Sequence, residues 1–337
     1  MHHDTTRFRL LRGVIAVVAV FVAFLLAFMV SDGLATVGLP GGGFAEFVVL
    51  AGRAFGAMTG IELFAFRFVW YSLVTGALIG VVGPLVGMYI VHREMALIGE
   101  TLAHTAFAGV AVGLLVASTT DWSAPLLLSA LVAAVLGAFA VEWLAEHAAA
   151  YGDVPIAIML TGSFALGTVV ISWGGGFSGL NIDSFLFGNI SFVPVGGAWL
   201  MIVISAFVLA TIATRYKQLL YVTFDEQAAR VARLNVSSYN TLIIVLTALV
   251  VVGSMQVLGV ILVAAMLVVP TAAASQVASS FREALYLAVL VGEVSVISGL
   301  LVGYVSGLPA GGTIVLIAIA WYVIAVVSDR GVPSATR

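Results

Sequence analysis

VGMYIVHREMALIGETLAHTAFAGVAVG, from Val86 to Gly113, holds the end of one apolar segment, a short charged turn and the start of the next. In the second segment Glu100 and His104 are spaced i, i+4, so a helix puts a carboxylate and an imidazole on one face, a turn apart. An ionisable side chain in the middle of a membrane helix costs about 3 kcal/mol or more, which marks it by default as part of an ion or substrate path. Glu and His together are also a plausible metal-ligand pair. The competing reading is structural: the two bond each other or a neighbouring helix and only specify packing.

The rest of the chain makes that setting a membrane. Of the 337 residues 62% are apolar and 9% charged, and the mean hydropathy is +1.21, far from a soluble domain of this size. Apolar runs long enough to cross a bilayer number about ten: 14–30, 69–91, 96–117, 124–146, 155–173, 194–214, 239–255, 258–278, 284–304 and 312–328. The expected fold is therefore an all-α integral membrane protein, a multi-span helical bundle. The absence of cysteine excludes disulfides, thiolate zinc sites and Cys nucleophiles, so any metal chemistry rests on His, Asp, Glu, Asn or backbone oxygens. A net charge of −3 decides nothing about partners; membrane lipid is expected, nucleic acid is not.

Lys and Arg report orientation, because they concentrate in cytoplasmic loops. With the N-terminus inside, Arg7, Arg9, Arg12, Arg93, Arg215, Lys217, Arg230, Arg233, Arg282, Arg330 and Arg337 all fall on the cytoplasmic side, and only Arg53 and Arg67 fall outside. That pattern fits an even number of spans with both termini cytoplasmic. The first run, behind Arg7, Arg9 and Arg12, also fits a signal sequence; its length and the lack of a small-x-small cleavage site favour a retained helix.

Gly76, Gly80, Gly83 and Gly87 form one small-residue stripe, and Gly99, Ala103, Ala106, Gly109 and Gly113 form another. Such stripes let membrane helices approach closely, and they suggest that the second and third spans are neighbours. Two loops stand out. RYKQLLYVTFDEQAARVARLNVSSYN, Arg215 to Asn240, is the densest cluster of charge, and Asp225 to Asn235 within it reads as a short helix with acids first and arginines later. Its apolar side is Ala228, Ala229, Val231, Ala232 and Leu234. The glycine-rich loop 174–193 carries Asn181, Asp183 and Asn189 and is expected outside, where it lines an external mouth or simply flexes. Among other polar residues, Glu293 and Gln256 lie inside spans and are candidates for a gate or pathway; Glu142, Glu146 and His147 read as a solvated helix end, and His92 as interfacial.

Val86–Gly113 resembles the signature of the permease subunits of zinc and manganese ABC importers, in which an Arg-containing turn precedes Gly-Asp and, four residues after the Asp, a His. Thr223–Asn240 is similar to that family's cytoplasmic Phe-Asp-Glu loop, Met255–Ala274 matches with Gln256, Gly259 and Pro270, and FGNI at 187–190 adds a weaker match. The matches are collinear over roughly residues 69–328. The chain departs from the family at Glu100, where Asp is usual, at Ala108, where Pro is frequent, and at Arg233, where Gly is common.

The resemblance implies a homodimeric permease of the compact vitamin-B12-importer type, served by a cytoplasmic ABC ATPase dimer and an external metal-binding protein. It implies three segments: an added N-terminal helix and outer linker over 1–68, the permease domain over 69–328 and a cytoplasmic tail over 329–337. It makes Glu100 and His104 ligands on the path of a transported Zn, Mn or Fe ion, with no covalently bound cofactor. It also makes Asp225, Glu226, Ala229, Arg233 and Leu234 the coupling helix that engages the ATPase. The chain contains no GxxxxGK[ST] phosphate loop, so ATP would be bound and hydrolysed by a separate subunit, and the chain itself is no enzyme. Two ligands are too few for tight tetrahedral binding, so the resemblance puts a second pair across a dimer axis. Alternatives are a permease of the same architecture carrying a metal chelate, haem or cobalamin, and an ion-coupled secondary metal carrier; no internal repeat favours the latter.

Overall fold

The computed structural model describes residues 2–38, 41–60, 62–120, 126–147, 154–173, 186, 188 and 193–330. Among them there is no strand. Twelve helices follow in chain order: α1 His2–Thr36, α2 Gly43–Thr59, α3 Arg67–Val91, α4 Ile98–Thr119, α5 Leu126–His147, α6 Val154–Trp173, α7 Val195–Phe224, α8 Glu226–Val231, α9 Val236–Leu258, α10 Val260–Val277, α11 Phe281–Ser306 and α12 Ala310–Arg330. A 3₁₀ turn, Glu62–Ala65, precedes α3. Nine of the helices are long and apolar enough to cross a bilayer: α1, α3, α4, α5, α6, α7, α9, α11 and α12. The tenth expected span is α10, apolar but only 18 residues long.

The central helix is α3, buried along most of its length. It packs against α1, α7, α9, α10 and α11, while α4 packs against α5, α6, α9 and α10. Pro84 opens one close contact. It has no N–H to give the Gly80 carbonyl one turn earlier, and that oxygen instead faces α11, 2.5 Å from where a Cβ on Gly292 would stand. Gly80 in turn faces the backbone of Glu293, and Gly87 faces the Leu267 carbonyl of α10. The α3 glycine stripe therefore closes on α11 and α10. The stripe on α4 closes on α10 at Gly99 and on Ser129, Ala130 and Ala133 of α5 at Gly109 and Gly113. The two stripes do not face each other, so the neighbour expected from them was the wrong one: glycine spacing encodes close approach, not its partner.

Helices α9 and α10 are joined by Gly259 alone, at φ 79° and ψ 158°, a region that a side chain all but forbids. Gly188 and Gly311 close over the same turn. At the other end of the bundle α7 runs ten residues beyond the expected span, to Phe224, because Leu219 and Val222 remain buried while Arg215 and Lys217 stay exposed. The segment from Arg215 is thus helix, not loop, up to Phe224.

The stretch between α1 and α3 is not simply a linker. Helix α2 buries Ala45, Val48, Val49, Gly52 and Gly56 and leaves Phe47, Leu50 and Met58 exposed. Asp32 near the end of α1 is buried, and it accepts hydrogen bonds from Arg67 Nη1 at 2.6 Å and Tyr71 Oη at 2.5 Å. That pair of contacts fastens α1 to the first turns of α3. The Ser31 hydroxyl donates to Gly41 O at 2.7 Å and accepts from Ala45 N at 3.0 Å, which fixes the start of α2 beside it.

Candidate functional site

Glu100 lies in the first turn of α4 and His104 one turn on. The turn from His92 to Leu97 folds back far enough that Gly99 meets Leu267 and Ala264, on the same helix that Gly87 touches. Glu94 adopts φ 59° within this turn. Helix α4 therefore begins beside the middle of α10 rather than at a span's end, which places its first turn inside the bundle's length. Two hydroxyls lock its rotation: Thr101 Oγ1 donates to Ile156 O of α6 at 3.2 Å, and Thr105 Oγ1 shares a hydrogen bond with Ser163 Oγ at 3.0 Å.

With α4 so fixed, His104 Nε2 stands 3.8 Å from Glu100 Oε1, too far for a hydrogen bond. The imidazole is packed edge-on against Phe164 at 4.9 Å between centroids, and its Nδ1 is buried with no hydrogen-bond partner. The His104 side chain is 13% exposed and that of Glu100 43%. The pair is thus neither satisfied by its neighbours nor closed on itself, against the packing-only reading. Among the described residues no group of three or more His, Asp or Glu could hold a metal. Glu100 and His104 thus place a carboxylate and an imidazole on one helix face, open to solvent on the Glu100 side.

The short helix expected over Asp225–Asn235 is shorter still: α8 covers only Glu226–Val231. Asp225 caps it, accepting from Ala228 N at 2.8 Å. It stops in a Schellman turn, with Arg233 at φ 58° and Leu234 N bonded to Ala229 O at 3.0 Å. Ala229 is buried with Val222 and Val236 against Leu234 and Tyr239, so this half of the apolar side packs on the chain's own α7 and α9. Gln227, Arg230 and Val231 remain exposed, beside exposed Tyr221 and Phe224.

Arg93 joins the two regions. Its Nη2 donates to Glu226 Oε1 of α8 at 3.1 Å and to the Asn240 side chain of α9. The Arg93 side chain is 7% exposed, and burial lowers the pKa of its guanidinium from the ordinary value, against the raising effect of Glu226. The ring of His92 stands edge-on to Phe224 and to Phe281 at 5.6 and 5.4 Å. Residues only seven and eight positions ahead of Glu100 therefore touch the segment that carries α8. Sequence reasoning took Arg93 as an orientation marker and missed this contact, whose only signal is a charge in the turn. It also read Glu142 as solvated, whereas its carboxylate accepts from Thr241 Oγ1 at 2.6 and 2.7 Å and ties α5 to α9.

Of the other expected site residues, Asp183 lies outside the described residues, and of Gln256 only the backbone position on α9 is described. Glu293 lies mid-way along α11, 2% exposed, and neither carboxylate oxygen has a hydrogen-bond partner. A groove of about 600 Å³ between α4, α5 and α6 is lined by apolar and small residues with no ionisable group, and it plays no part in this chemistry.

Comparison with known proteins places this geometry. Residues 65–329 match the model of the ABC 3 transport family. The chain is 30% identical over 266 residues to the manganese transport system membrane protein MntC of Halalkalibacterium halodurans, covering 78% of this chain and 88% of that protein. It is 32% identical over 251 residues to the manganese import system permease protein ScaB of Streptococcus gordonii, covering 74% and 87%. Among solved structures, PsaBC from Streptococcus pneumoniae in complex with Fab superposes with a TM-score of 0.70 at 30% identity, over 82% of this chain and 95% of that one.

Proposed function

The chain belongs to the ABC 3 transport family, and from that premise we propose that it is the membrane-spanning permease subunit of an ATP-driven importer for a divalent transition metal ion. Manganese is the cargo favoured by the names of its relatives; the Glu and His donors suit zinc and iron as well. The observation that carries the reading is the Glu100–His104 pair, set 3.8 Å apart on a rotationally locked helix with one imidazole nitrogen buried and unpartnered.

On this reading the working unit is a homodimer in the cell membrane, with both termini cytoplasmic. The two Glu100–His104 pairs converge across its axis and supply up to four ligands. Residues 69–328 form the transport body, 1–68 the added helix and outer segment, and 329–337 the tail. An ABC ATPase dimer docks on the exposed side of α8, an external metal-binding protein delivers the ion, and Asp183 and Gln256 serve the outer mouth. The longer reach of Glu100, compared with the usual Asp, gives an incomplete and adjustable coordination shell. That suits an ion that must leave again.

The test is metal uptake by cells carrying Glu100→Ala or His104→Ala at matched expression. Each variant is expected to lose most of its transport, and Glu100→Asp to keep it. Normal uptake by both alanine variants would remove the site assignment. Uptake that persists in vesicles without ATP would remove the importer reading and leave a secondary carrier.

A further inference from the structure

A cavity of about 670 Å³ opens between the Thr211–Arg215 stretch of α7 and the α8–α9 link. Its polar wall is Thr214, Arg215, Arg233, Asn235, Ser238 and Tyr239, and its apolar floor includes Leu234 and Leu242. No acid lines it. Arg67, Arg93 and Arg230 enter ion pairs, and among the described residues neither Arg215 nor Arg233 does. The same cavity borders the start of α9, where Asn235 caps a 23-residue helix whose positive dipole end adds to the two guanidinium charges.

Two further observations give the anion an address. Arg233 holds a left-handed backbone at φ 58°, where glycine would be free of strain, so a cationic side chain occupies the cavity rim against its own backbone preference. Arg215 stands about 30 Å along α7 from Val195 at 1.5 Å per residue, one hydrocarbon thickness from the helix start. That is headgroup depth in the leaflet next to α8. Basic pockets between membrane helices at this depth suit anionic headgroups.

We propose that this cavity binds the phosphate of an anionic phospholipid, held between Arg215 on α7 and Arg233 after α8, with Ser238 and the α9 N-terminus completing the shell and Leu242 meeting the glycerol and upper acyl chain. The bound lipid ties the end of α8 to α7, on the side away from the Arg93–Glu226 contact.

The experiment is native mass spectrometry of the purified full-length chain titrated with phosphatidylglycerol or phosphatidylcholine, for wild type, Arg215→Gln, Arg233→Gly and the double variant. Phosphatidylglycerol is expected to bind in preference. Each substitution should weaken it roughly fivefold, and the pair roughly 25-fold, as about 1 kcal/mol per basic residue requires. Phosphatidylcholine binding should not change. Arg233→Gly relaxes the backbone, so lost binding at an undiminished melting temperature separates the site from a folding defect. Equal binding by wild type and double variant overturns the proposal. Displacement by millimolar inorganic phosphate, but not by chloride at the same ionic strength, would make this a free-anion site and overturn the lipid as source. Displacement on adding the ATPase subunit would make it part of that interface and overturn it as well.

Discussion

Asp32 and Glu293 are buried to the same degree, 2% exposed, and the bundle treats them in opposite ways. Asp32 is held by Arg67 and Tyr71 at 2.6 and 2.5 Å, at the N-terminal end of α3. Glu293, whose backbone lies against Gly80 of the same helix α3, has neither carboxylate oxygen paired. A carboxyl group in an apolar interior costs several kcal/mol unless it is bonded. The paired acid answers to architecture, since it fastens α1 to α3. The unpaired one is a standing cost to this conformation, and architecture gives it no return.

Breaking the paired acid should have the largest effect on stability. Asp32→Ala leaves Arg67 and Tyr71 without their acceptor and should cost about 3 kcal/mol, the low end for a broken buried pair because the Arg67 side chain is 44% exposed. The protein purified in detergent should melt several degrees earlier, with α1 detaching first. An unchanged melting curve would mean that α1 is held by its apolar contacts alone. Glu293→Leu should move the other way and raise stability by about 2 kcal/mol, the penalty of an unsatisfied buried group. Uptake should fall in the same variant. Gained stability with full transport would make the carboxylate a tolerated defect. No gain in stability would show that it has a partner after all.

The contrast also explains what was legible in the sequence. Spans can be read because the spanning helices carry long, dominantly apolar runs, and Glu100 and His104 stood out because local spacing alone puts them on one face. The Asp32 clamp joins residues 35 and 39 positions apart, and no local pattern announces it. The end of α7 was read as a loop because Arg215 and Lys217 look like a boundary, although long cationic side chains remain helical while their charges reach solvent. Ala229 was read as part of an apolar side able to dock on a partner. A six-residue helix ending in a Schellman turn instead turns it onto Val222 and Val236.

That Schellman turn gives the next effect in size. Arg233→Gly removes a side chain from the left-handed region and should raise stability by about 1 kcal/mol. The gain would appear as a modest rise in melting temperature. A loss would mean that contacts of the guanidinium outweigh the backbone strain.

The smallest expected effect on stability is at Arg93, which contains both halves of the comparison in one side chain: Nη2 is bonded to Glu226 and Asn240, while Nη1 is buried without a partner. The Arg93–Glu226 pair is worth only about 0.5 kcal/mol in a double-mutant cycle, because Glu226 is 47% exposed and solvent screens it. Its value to transport is of another kind. It is the polar link between α8 and the turn that leads into Glu100, so cutting it should leave the fold and the assembly with the ATPase intact while separating ATP turnover from uptake. Glu226→Ala should therefore hydrolyse ATP at near the normal rate and import several-fold less metal per ATP. The exchanged pair, Arg93→Glu with Glu226→Arg, should recover part of the loss if attraction between the two groups is what transmits motion. Recovery would join the paired side of Arg93 to mechanism rather than architecture. A Glu226→Ala variant with an unchanged ratio of metal to ATP would return the pair to the same class as Asp32, a fastening and nothing more.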